Sequence, residues 1–151
     1  MKLRSYPVTA VILFSLFSAA TIVAVPARAE GVAPSAGCVQ LEVHNVRAEQ
    51  GQLMIAAYGD AASFGKVPLV ATRMRAGAET MSFAVCGLSG SSVALTLFQD
   101  LNGNGKLDAN AFGVPSEPWG ASGKSAAMTA PSWDSSAVAL DRSTVVVKLS
   151  K

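Results

Sequence analysis

Side chains able to do acid–base or nucleophilic chemistry are scarce in this chain. Its 151 residues include one histidine, His44, and two cysteines, Cys38 and Cys86. His44 falls on the polar side of an alternating segment. With no second histidine and no free cysteine, the sequence offers no nucleophile–base pair. Long amphipathic helices and internal repeats are also missing. Two short echoes of catalytic motifs fail on context. Gly120–Ser125 matches the end of a phosphate-binding loop, but Pro118 stands where its first glycine belongs and no βαβ pattern surrounds it. Ser63–Lys66 matches a Ser-x-x-Lys motif whose companion motifs are absent.

A basic excess is lacking too, once the N-terminus is read as a leader. Lys2 and Arg4 precede an uncharged apolar run, Val8–Val25, and Ala27–Ala29 supplies small residues for cleavage. Residues 1–29 are therefore expected to be a secretory signal peptide. No cysteine follows the expected cut, which argues against lipid attachment. Removing Lys2, Arg4 and Arg28 turns a formal charge of +2 into a slight acidic excess. That leaves no electrostatic case for nucleic acid or an anionic membrane surface. The expectation is an exported protein, periplasmic or secreted, with no membrane span after signal cleavage.

What remains is mostly strand. Residues 30–37 read as a flexible lead-in and 38–151 as one domain. Val39, Leu41 and Val43 alternate with Gln40, Glu42 and His44. The same period of two recurs at Leu53–Ala57, Val70–Met74, Met81–Val85, Val93–Leu97 and Val145–Leu149. This pattern predicts an all-β fold, an antiparallel immunoglobulin-like or transthyretin-like sandwich of about seven strands. Asp60 is placed to cap one helical turn over Asp60–Gly65. An exported chain with two cysteines most simply pairs them. Parity puts Cys38 and Cys86 opposite the apolar positions of their strands, so a disulfide between them would tie strand ends or outer faces, not cross the core. In the chain-entropy model that closure is worth about 4 kcal/mol.

The exception to alternation is Asp108–Arg142, which follows the run Asp-Leu-Asn-Gly-Asn-Gly-Lys-Leu-Asp at Asp100–Asp108. Hard cations such as calcium take oxygens from alternate positions of a tight loop. Asp100, Asn102, Asn104 and Asp108 would supply side-chain oxygens and Lys106 its carbonyl. Gly105 allows the sharp turn, and Leu107 would anchor the loop. The bidentate Glu of an EF-hand is replaced by Ala111, and Glu117 is the candidate for a further oxygen. With two sure carboxylates, affinity should be weak, with a Kd on the order of 10⁻⁴ to 10⁻³ M. The alternative is an ion-free Asx loop built on the turn dipeptides Asn102–Gly103 and Asn104–Gly105. Trp119 and Trp133 are candidates for a binding surface, with lids over the sheet as the alternative.

The run Phe98–Leu140 resembles bacterial exported proteins catalogued as domain of unknown function two-one-four-one. The resemblance rests on the Asp100–Asp108 loop, then Gly113, Pro115, Glu117, Trp119 and Gly120, then Pro131 and Trp133. It implies a transthyretin-like or immunoglobulin-like sandwich in the cell envelope, and no activity. The functional expectation is a non-catalytic binding or accessory module with a calcium-type loop, directed at an envelope protein or a glycan. The competing expectation is a small cell-envelope hydrolase working from Glu117 and Asp108.

Overall fold

The computed structural model describes residues 37–124, 129–141 and 144–150. The expected signal peptide and all of the lead-in but Gly37 lie outside the described residues. Eight strands follow in order: β1 Cys38–His44, β2 Gln52–Tyr58, β3 Val70–Arg75, β4 Thr80–Cys86, β5 Ser92–Asp100, β6 Trp119–Ala121, β7 Ala137–Ala139 and β8 Thr144–Lys148. One helical turn, α1 Trp133–Ser136, precedes β7. They form two sheets, β4-β1-β8 and β3-β2-β5-β6, with β7 also paired to β5. This is an all-β sandwich.

The alternation read from the sequence is the alternation of burial. Val39, Leu41 and Val43 of β1 are fully buried, while Gln40, Glu42 and His44 are half-buried on the other face. Leu53, Ile55 and Ala57 face them from β2, with Val93, Leu95 and Leu97 from β5. Val85, Val145, Val147 and Leu149 complete the layer. Strands with a branched apolar residue at every second position bury one face and leave the other to water. On the edge strand β3 only Val70 and Met74 reach this core; Thr72 is exposed.

One pairing departs from the antiparallel pattern. β8 lies parallel to β1, with Leu41 opposite Val145 and Val43 opposite Val147. Two parallel neighbours cannot be joined by a hairpin. Here the chain reaches β8 from β7, which belongs to the other sheet, so the crossing between layers provides the connection. Gly120 is where β6 meets this strand. A Cβ there would lie 2.8 Å from the carbonyl oxygen of Lys148 and 2.9 Å from a methyl of Val147.

Cys38 and Cys86 are directly opposite in the β1–β4 ladder and form a disulfide, with Cα atoms 4.0 Å apart. The bond stays within one sheet and does not cross the core. Asp60–Gly65 is a turn, not a helix. Asp60 Oδ1 accepts the Ser63 N–H at 2.8 Å, and Ser63 Oγ donates to the Asp60 carbonyl at 3.1 Å. The α1 turn was not evident in the sequence. Its signal is local: Ser132 Oγ accepts the Ser135 N–H, and Ser135 Oγ accepts the Ser132 N–H.

Candidate functional site

β5 ends at Asp100, and the loop begins on that residue's side chain. The ladder buries Asp100 to 2% exposure. Its Oδ1 accepts the N–H groups of Gly103 at 2.8 Å and Asn104 at 3.2 Å, and its Oδ2 accepts that of Gly105 at 2.8 Å. Gly103 and Gly105 both have positive φ, which curls successive amides toward one carboxylate. Asn102 and Asn104 continue the curl as Asx turns, their Oδ1 atoms accepting from the N–H groups of Asn104 and Lys106. Those bonds fix the amide orientations, so both NH₂ groups turn to the Asp108 carboxylate, at 2.6 Å from Asn102 and at 3.0 and 3.1 Å from Asn104.

Glu117 closes the structure. It is 6% exposed, and both carboxylate oxygens accept backbone N–H groups. Oε1 takes Leu101 at 2.8 Å and Oε2 takes Asp108 at 3.0 Å. One side chain thus straps the entrance of the loop to its exit. Pro118 holds the next step, its carbonyl accepting the Gln99 N–H at 2.7 Å. Between strap and loop projects a second turn. Asn110 N–H donates to the Val114 carbonyl, and Asn110 Oδ1 accepts from Phe112 N–H at 2.9 Å and Val114 N–H at 3.1 Å. An Ala109–Pro115 bridge closes its base. At its tip Phe112 is 91% exposed, with Val114 and Leu107 partly exposed nearby.

Asp100, Asn102, Asn104 and Asp108 are therefore brought together, but through hydrogen bonds among themselves and to the backbone. Among the described residues no three His, Cys, Asp or Glu side chains form a metal-holding group. A cation at this loop would draw on two carboxylates and two amides, and both Asn side chains would have to turn an oxygen toward it. Glu117 contributes to the loop's shape. Both of its oxygens accept backbone N–H groups, which ties the carboxylate to the loop. Trp133 packs edge-on against Phe64, which in turn contacts Tyr58. Trp119 lines an open groove of about 690 Å³ with Phe98, Leu107, Val114, Pro115 and Pro131.

Gln99 is one of the buried polar residues that sequence reasoning missed, with Ser122 and Ser136. It continues the inward face of β5 beyond Leu97 and is fully buried. Its side chain accepts the Arg47 N–H at 2.9 Å and donates to the carbonyls of Arg47 and Gln50 at 2.7 and 2.6 Å. It thereby fastens the β1–β2 connection beneath the loop. Gly51 in that connection has φ of +58°, and a Cβ there would strike the Asp100 carbonyl.

The fold and this loop define an all-β sandwich domain with an amide-caged acidic loop at one end of its central strand. The chain belongs to a family described as an uncharacterized protein conserved in bacteria (DUF2141), whose profile matches residues 41–148. No curated protein and no solved structure matches the chain.

Proposed function

We propose that this protein is an exported, non-catalytic binding or accessory module of the bacterial cell envelope, and that the Asp100–Glu117 region presents its recognition tip. The observation that carries the reading is Phe112. A large apolar side chain stands 91% exposed on a turn whose backbone groups are already hydrogen-bonded to Asn110. A preorganised apolar knob loses little entropy on binding and gains from leaving water, which is how interface anchors work. The disulfide fits an oxidising compartment. An envelope protein is the expected partner. A glycan would need more hydrogen-bonding side chains than Phe112, Leu107 and Val114 offer. Phe112→Ser should abolish capture of that partner from envelope extract while leaving the melting temperature within a degree or so of wild type. Capture that persists in the variant would remove the tip from the proposal.

Calcium is the second part of the reading. What supports it is the convergence of Asp100, Asn102, Asn104 and Asp108 without a Lys or Arg ion pair among the described residues. An ion here would stiffen the base of the tip. Binding to the folded state alone stabilises by RT ln(1 + [L]/Kd), about 0.4–1.4 kcal/mol for millimolar calcium and a Kd on the order of 10⁻⁴ to 10⁻³ M. Millimolar calcium should raise the melting temperature, and Asp100→Ala should abolish the rise. An unchanged wild-type melt would leave an ion-free Asx loop.

A further inference from the structure

The outer face of the five-stranded sheet carries a second feature. The pairing register aligns Arg73, Met54, Phe98 and Trp119 across four strands, and beside them Ala71, Ala56, Thr96 and Ala121. A row of large side chains therefore borders a row of small ones. Tyr58, under Phe64, closes the other side. The result is a shallow trough. One end, of about 380 Å³, is lined by Met54, Ala56, Tyr58, Ala71, Arg73 and Phe98. Past Thr96 and Phe98 it continues into the groove under Trp119.

Its chemistry is lopsided. Among the described residues lining either stretch, Arg73 is the only charged side chain. Among the described residues Arg73 has no ion pair. The next row outward carries Arg75, Gln52 and Asp100. Arg75 is taken by Glu49 at 2.8 Å, and Asp100 is caged by loop amides. Among the described residues, neither carboxylate partner of this row, Glu49 or Asp100, is left to answer Arg73. We propose that the trough binds a single-chain amphiphile with a carboxylate head, the acyl chain lying across β2, β5 and β6 and the head at Arg73. Four strands span on the order of 14 Å, which a medium-length acyl chain can follow. Carbon-lined walls favour the chain, and a planar guanidinium favours a carboxylate over a neutral head group. This goes beyond the tip's partner and does not depend on calcium.

The test is titration of the purified protein with dodecanoate below its micelle concentration and with dodecanol below its solubility limit. Calorimetry follows the wild type, and Trp119 fluorescence follows a Trp133→Phe variant. Dodecanoate should bind saturably, one to one, with a blue shift of Trp119, and dodecanol about three- to tenfold more weakly. Arg73→Gln, a surface change, should reduce dodecanoate to the affinity of dodecanol and leave dodecanol unchanged. Ala56→Phe should block both. Three results would overturn the proposal: no saturable binding of either probe, equal affinity for acid and alcohol, or a response to phosphatidylglycerol vesicles alone. Partner capture through Phe112 is read separately, so either proposal can fail while the other stands.

Discussion

The sandwich and the loop that leaves it are held by opposite means. Between the sheets, Leu41, Leu53 and Leu95 are buried completely and meet other carbon. From Asp100 to Glu117, Leu107, Phe112 and Val114 are all exposed, and the shape comes from Asp100, Asn104, Asn110 and Glu117 accepting or donating hydrogen bonds. Carbon packing distributes stability over many weak contacts. An amide cage concentrates it on a few oxygen atoms. The core should therefore yield globally to a single truncation, and the loop locally.

The largest effect is expected from Leu95→Ala. It removes a fully buried side chain from the central strand and should cost about 2–5 kcal/mol. In a denaturant melt the midpoint should fall with the slope unchanged, because the whole molecule still unfolds as one unit. Gln99→Leu comes next and tests the boundary between the two regimes. The change keeps carbon in the layer but leaves the Arg47 N–H and the carbonyls of Arg47 and Gln50 without their partner. Burying orphaned polar groups outweighs the added methyl groups, so a loss of about 3 kcal/mol is expected. A neutral or stabilising result would mean that water reaches those atoms.

The same contrast decides what was legible beforehand. The two faces of β1 could be read because polar Gln40, Glu42 and His44 mark its outer side. β2, Gln-Leu-Met-Ile-Ala-Ala-Tyr, is apolar on both faces, so its alternation gave the strand but not the trough that Met54 and Ala56 help to build. The disulfide followed from having two cysteines in a chain read as exported, and parity told only that it would not cross the core. The loop's residue types announced a tight turn, yet an oxygen that cages an amide and one that awaits a cation have the same sequence. Glu117 reads as a spare ligand in one dimension. Only in three dimensions does it face the N–H groups of Leu101 and Asp108. Gln99 was unreadable for a different reason: its partners, Arg47 and Gln50, lie about fifty positions away, and no local pattern links them.

Glu117→Gln should separate the regimes most cleanly. A neutral amide keeps one acceptor but turns an NH₂ toward a backbone N–H, so one strap contact is lost. The expected cost is about 1.5 kcal/mol. In hydrogen exchange the amides of Leu101 and Asp108 should lose protection, while those of β1 and the centre of β5 keep theirs. Equal acceleration in both sets would show that the loop and the sandwich open together.

The smallest expected effect belongs to Asp60, where a carboxylate caps an amide as Asp100 does but at a site open to solvent. The Ser63 N–H, and then the Ser63 hydroxyl, hold its carboxyl below the ordinary value of 3.8. A carboxyl group whose folded value is depressed contributes stability that is complete above its unfolded value. That contribution is lost as pH falls through the lower, folded one. Exposure and salt screening keep it small. Asp60→Asn keeps an acceptor for Ser63 and removes the charge. The two proteins should therefore differ slightly in melting temperature at neutral pH and converge as pH drops below 3.8. Added salt should shrink the neutral-pH difference further. A gap that persists unchanged into acid would assign the cap to geometry alone, and the contrast with the buried Asp100 cage would then rest on burial without any contribution from charge.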